Sequence, residues 1–138
     1  MSAELIVPPD PVDVVAAELN AALRTVSGYE TVRAGGSVPT PRPRQFVRLR
    51  AVGGSQGSVA HVTPTVAAES YADTPGDAAR LANVVHGSLL AAGRNLRMGS
   101  MPCSGVAVVA LPQDLPDPTT DQARSTATYA VSLRGVVA

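Results

Sequence analysis

Residues 45–72 read QFVRLRAVGGSQGSVAHVTPTVAAESYA, and how this stretch folds decides the architecture. In its first part Val47, Leu49 and Ala51 alternate with Phe46, Arg48 and Arg50, the period of a strand with one buried face. Gly53–Ser58 (GGSQGS) reads as a flexible connection, and Val59–Tyr71, rich in Val and Thr, as the returning strand. The two form an extended hairpin. Pro64 cannot donate to a ladder, so it predicts an edge position or a bulge partway along.

Both flanks of the hairpin carry helix signals. Asp10 before Pro11 is a cap followed by a proline that loses nothing at the first helical position, and Asp13 adds favourable charge to the first turn. Val12, Val15, Ala16, Leu19, Ala22, Leu23 and Val26 recur at helical spacing until Gly28 supplies a stop. Downstream, Asp73 or Thr74 before Pro75 repeats the entry. Ala78, Leu81, Ala82, Val85, Leu89 and Ala92 make the second amphipathic stripe, which Gly93 ends.

Between these anchors, residues 29–34 (YETVRA) read as a short strand and GGSVPTPRPR as an extended or turning loop. Residues 94–104 (RNLRMGSMPCS) read as irregular, Gly105–Ala110 as a short apolar strand and Arg124–Gly135 as an alternating one. LPQDLPDPTTDQAR (residues 111–124) is a long, proline-rich connection, longer than neighbouring strands usually need. It is expected to project as a semi-rigid arm that docks on a neighbour. The expected fold is α+β: a mixed, mainly antiparallel sheet of about four to five strands, two helices and the extended hairpin, in one domain over residues 1–138.

Composition narrows the function. The chain has 138 residues with one Phe, three Tyr and no Trp, so its core is built mainly from Ala, Val and Leu. Such a core stabilises less per residue than an aromatic one, which favours self-association as a source of further burial. Net charge is zero and every cation is Arg, a balance that predicts neither a nucleic-acid nor a membrane partner for the chain as a whole. The single cysteine permits no intrachain disulfide, and MSAELIVPPD lacks both parts of a secretory signal, so a reduced, cytosolic life is expected.

Catalytic and metal readings find little support. Cys103 has no neighbours that would stabilise a thiolate, and His61 and His86 have no second ligand at metal spacing. Asp114, Asp117 and Asp121 lack the glycine turn and terminal glutamate of a calcium loop. GGSQGS has no Lys and no following helix to make it a phosphate loop. No enzyme, metal or cofactor is expected. Charge is concentrated in PRPRQFVRLR, where Arg42, Arg44, Arg48 and Arg50 surround Phe46. A solvated strand face, a protein interface and a nucleic-acid surface are the three readings of that stretch.

Taken in order, DPVDVVAAEL, PRPRQFVRLRAVGG, TVAAESYADTPGDAARLANVVHGSLLA and LPDPTTDQARSTATYAVSLRG resemble the tail terminator (tail-completion) family of long-tailed bacteriophages. The chain departs from the commoner family wording after Glu69, where Ser70 precedes Tyr71. The resemblance implies a non-enzymatic virion protein, assembled in the host cytoplasm, whose copies form a homohexameric ring on the head-proximal end of the tail tube. Its implied partners are itself, the major tail tube protein and head-completion proteins, with possible non-specific contact to DNA passing through the lumen. Another neck component, a head-closure or connector protein, is the nearest alternative, and a nucleic-acid module using Arg42 to Arg50 a more distant one. In the ring, the arginines Arg42, Arg44, Arg48 and Arg50 are expected to meet Asp114, Asp117 and Asp121 across a subunit boundary, with Phe46 also at the interface. Some of these arginines could instead face the lumen.

Overall fold

A computed structural model describes residues 3–138. The elements run β1 (Ile6–Val7), α1 (Pro11–Leu23), β2 (Ala34–Gly35), β3 (Phe46–Ser58), β4 (His61–Ala72), α2 (Pro75–Arg94), β5 (Arg97–Met98), β6 (Met101–Asp114), β7 (Ala123–Arg134) and β8 (Val136–Val137). The fold is α+β. Six strands form one mixed sheet in the order β2-β3-β4-β7-β6-β5, and β1 pairs with β8 in a separate ribbon. The count exceeds the four to five strands expected, because short strands clip onto the borders. All pairings are antiparallel except that of β2 with β3.

Both helices start where capping chemistry places them. The Asp10 side chain accepts from Val12 N–H at 2.9 Å, and Thr74, not Asp73, caps α2 by accepting from Asp77 N–H at 3.1 Å. Their ends differ from expectation. α1 stops at Leu23, ahead of Gly28, which instead takes the left-handed conformation (φ 91°) in the turn that follows. α2 continues through Gly93 to Arg94, and Gly93 lies close against β6: an added Cβ there would lie 3.0 Å from Val106 N.

The helices cover one face of the sheet. Val15, Leu19 and Leu23 from α1 and Leu81, Val85 and Leu89 from α2 pack on Val47, Leu49, Val66, Ala68, Tyr129, Val131 and Leu133. At about 25 cal/mol per Å² of apolar surface, this single layer supplies most of the fold's stabilisation. Its largest member is Tyr129, and the rest is aliphatic but for Met98 and Cys103, as the composition requires.

Four segments differ from the sequence reading. Residues 29–34 contribute only Ala34 to a strand, which continues to Gly35. GGSQGS is not the hairpin connection but the distal part of β3, and the turn is Val59–Ala60. The ladder to β4 carries these glycines, with register shifts between Ala51 and Gly54 and between Gln56 and Ser58. Gly54 (φ 138°) lies opposite Pro64, so the bulge that the proline predicted sits on the partner strand. Residues 94–104 are not irregular, since they hold β5 and the start of β6, including Cys103. Leu111–Asp114 likewise belong to β6, which leaves residues 115–122 as the connection.

Candidate functional site

The sheet has two contrasting ends. At one, β3 begins, β4 finishes and β7 begins, which brings Phe46, Tyr71 and Arg124 side by side. All three point away from the helices, a face expected to be solvated. Phe46 and Tyr71 are nevertheless 1% and 2% exposed. Their rings stack with centroids 4.5 Å apart and planes 9° from parallel. The Arg42 guanidinium sits 5.2 Å from the Phe46 centroid and 5.1 Å from that of Tyr71, within cation–π range of both.

Residues 115–122 fold back over this corner. Arg42 donates to Asp117 at 3.2 Å and to Gln122 Oε1 at 2.6 Å. Gln122 Nε2 reaches the Arg44 carbonyl, and Arg124 Nε donates to the Leu115 carbonyl at 2.8 Å. Asp117 also organises the loop from within. Its carboxylate accepts from Thr119 N–H at 2.9 Å, and that bond first, then Thr120 and Arg42, holds its pKa below the usual carboxylate range. Asp121 takes the left-handed conformation (φ 58°) and donates its N–H to the Asp117 carbonyl. The connection is long because it spans the end of the sheet and ties itself to the PRPR segment. It is a strap on its own subunit, not the projecting arm expected.

Beside the corner, Glu69 on β4 lies between Arg48 on β3 and Thr126 on β7. The residue is 3% exposed and faces three guanidinium groups: Arg50 Nε at 3.3 Å, Arg124 at 3.5 Å and Arg48 at 3.8 Å. One carboxylate against three cations leaves a local excess of positive charge, partly exposed through Arg48 and Arg50.

The expected interface residues therefore separate. Arg42 and Asp117 pair with each other inside one chain, and Arg44 pairs with Asp73 at 2.7 Å. Phe46 is core, because the opposite face of β3 is roofed at this end; its exposure as an interface aromatic is corrected. Arg48 and Arg50 converge on Glu69. Asp114 at the end of β6 and Asp121 in the connection are both exposed and belong to no ion pair among the described residues. Sequence reasoning missed Glu69, Tyr71, Gln122 and Arg124. A signal existed for Glu69, the lone acid in the returning strand, but the bulges shift the register that would have placed it against Arg48.

Toward the other end and along both borders, the sheet is bare. Every residue of β3 from Arg50 to Ser58 is exposed, although the strand pairs with β4 on one side. Ala107–Leu111 of β6 are exposed too, with Val109 at 60% and Leu111 at 67%. Among the described residues, β2 covers β3 only at Val47 and Arg48, and β5 covers β6 only at Met101 and Pro102. Two long edges are thus open, one at each border of one sheet.

The remaining candidates for chemistry are accounted for locally. His61 Nδ1 lies 3.0 Å from Ser58 Oγ across the hairpin end. His86 Nδ1 is 2.7 Å from the Tyr129 hydroxyl, whose pKa burial pushes up to about 12. His61 and Cys103 line one shallow cleft with Ser104 and Arg134. The Cys103 thiol is buried, donates to the Gly105 carbonyl at 3.3 Å and has its pKa raised by that burial, which favours the unreactive thiol. Among the described residues no cluster of three or more His, Cys, Asp or Glu could hold a metal ion, and no helix is long and apolar enough to cross a membrane. No protein-family model matches the chain, and no curated protein matches it.

Proposed function

We propose that the protein is a non-enzymatic assembly component that forms a ring, and that the ring is a tail terminator: a homohexamer capping the head-proximal end of a phage tail tube. On this reading it ends tube polymerisation and offers the head-completion proteins a joining surface within the virion. The observation that carries the ring is the pair of open edges at opposite borders of one sheet. Pairing one edge with the other of the next copy is a head-to-tail contact, which closes into a ring when the rotation permits and leaves no edge bare. The tail assignment rests on the sequence resemblance, whose four segments span nearly the whole chain. Another neck protein would share the ring but not the tube. Electron microscopy of tail tubes mixed with the purified protein tests the choice. Capped ends and halted growth are the expected result, while bare ends together with retention of the protein on portal-side components would transfer the assignment to the neck.

A further inference from the structure

Alternation in β7 sorts its residues by face. The odd positions from Ala123 to Leu133 are buried toward the helices, so Arg124, Thr126, Thr128, Ser132 and Arg134 share the opposite face. The unbroken register with β4 adds Glu69, Thr65 and Thr63, and the ladder from β4 to β3 adds Arg48 and Arg50. A hydroxyl pair confirms the alignment, Thr63 Oγ1 lying 3.2 Å from Ser132 Oγ. Past the row of Phe46, Tyr71 and Arg124, which the strap roofs, these side chains are partly or fully exposed except for Glu69.

Charge is unevenly divided between this face and the rest of the molecule. With His61 neutral, the face carries Arg48, Arg50, Arg124 and Arg134 against the single acid Glu69, a net of +3, in a chain whose 11 arginines and 11 acids cancel. Glu69 holds these arginines without neutralising them. Arg50 turns Nε to the carboxylate at 3.3 Å, and among the described residues no hydrogen bond takes its two terminal amino groups. Arg134 belongs to no ion pair among the described residues. Arg48 Nε, Glu69 Oε1 and Thr126 Oγ1, neighbours in one row across three strands, are buried without a hydrogen-bond partner. Such groups are normally paired, so the row has hydrogen-bonding capacity that its own chain leaves unused.

The excess charge calls for an anionic partner, and the side chains select its kind. Guanidinium forks flanked by threonine and serine hydroxyls are a donor set for phosphate oxygens. A protein partner is usually met through aromatic anchors, and the aromatics of this face, Phe46 and Tyr71, are sealed under the strap. Sealing them also removes the stacking platform that single strands use. What remains is a basic face of small side chains, which fits a duplex backbone and has nothing to read bases with. Length agrees as well: Arg124 to Arg134 is ten residues along a strand, about 33 Å, close to one turn of a duplex at about 34 Å.

We infer that the sheet face opposite the helices binds the phosphate backbone of double-stranded nucleic acid without sequence preference, with Arg48, Arg50 and Arg134 as the phosphate contacts. The inference goes beyond the ring reading and does not depend on it, since a single copy carries the whole face.

Fluorescence anisotropy of the purified chain with two duplex DNAs of unrelated sequence, titrated with salt, tests it. The two duplexes are expected to bind equally, with affinity falling linearly on logarithmic axes as salt rises. Arg50→Ala and Arg134→Ala should each weaken both duplexes alike and lower the salt slope by about 1. Arg94→Ala, at an exposed arginine ending α2, should leave affinity and slope unchanged. Absence of duplex binding at low salt, equal losses from Arg94→Ala and Arg50→Ala, or tighter binding of the single strand than of its duplex would overturn the assignment. Displacement of the duplex by polyglutamate at equal charge concentration would also overturn it and give the face to an acidic protein. None of these outcomes bears on oligomer mass, so native mass spectrometry of the same samples judges the ring reading separately.

Discussion

The corner at Phe46 and the wing at Val109 are built from the same sheet, yet they solve the problem of a strand border in opposite ways. At the corner, the face of the sheet away from the helices is roofed by the chain's own strap. Stacked aromatics lie beneath Arg42, and Arg42 is tied to Asp117 and Gln122. At the wing, an apolar strand is exposed with one neighbour and no roof. A strand in that state is marginal by itself and is a ready template for another chain. The difference teaches that exposure here is selective: the molecule has the means to cover a sheet border and uses them at only one end.

Breaking the corner should have the largest effect on the fold. Phe46→Ala empties the space under Arg42 and removes the partner of Tyr71, and by the usual cost of truncating a buried aromatic it should destabilise by about 3–5 kcal/mol. Chemical denaturation of a monomeric background such as Val109→Lys reads this without interference from assembly. Arg42→Ala removes two cation–π contacts and the tie to the strap, at about 1–2 kcal/mol. It should also expose residues 115–122 to proteolysis.

A pH series sharpens the same side of the comparison. The pKa of Asp117 is depressed when folded, so its contribution is fully present above the ordinary carboxylate range and is lost as pH falls through the depressed value. The protection of amides in residues 115–122, with the intrinsic pH dependence of exchange divided out, should therefore fall on acidification, whereas Asp117→Asn should flatten that dependence. The smallest expected effect lies at the wing. Val109→Lys, at an exposed position, should shift monomer stability by no more than about 0.5 kcal/mol. A large loss would mean that the wing is already part of a covered structure, and the contrast would fail.

Much of this division was hidden in the sequence for identifiable reasons. The helices were legible because Asp10–Pro11 and Thr74–Pro75 carry their own start signals, and the hairpin was legible from alternation at Val47, Leu49 and Ala51. Gly53–Ser58 was not, since glycine and serine have little strand preference of their own and are held extended by the ladder to β4. Leu111–Asp114 was obscured by Pro112, which the register shift between Ala110 and Gln113 accommodates. The acidic and basic segments were legible as a pair. Which acid meets which base depends on the strap folding back, a tertiary event that no local pattern encodes, and so Asp117 and Asp114 looked equivalent when one is a lock and the other is free.

Amide hydrogen exchange as a function of protein concentration addresses the central claim most directly, because it reads both borders and the corner in one experiment. The account predicts that β3 from Ala51 to Ser58 and β6 from Ala107 to Leu111 gain protection together as the ring forms, while Phe46, Tyr71 and residues 115–122 stay equally protected throughout. Edges that exchange rapidly at every concentration, in a sample whose mass shows the ring, would contradict it.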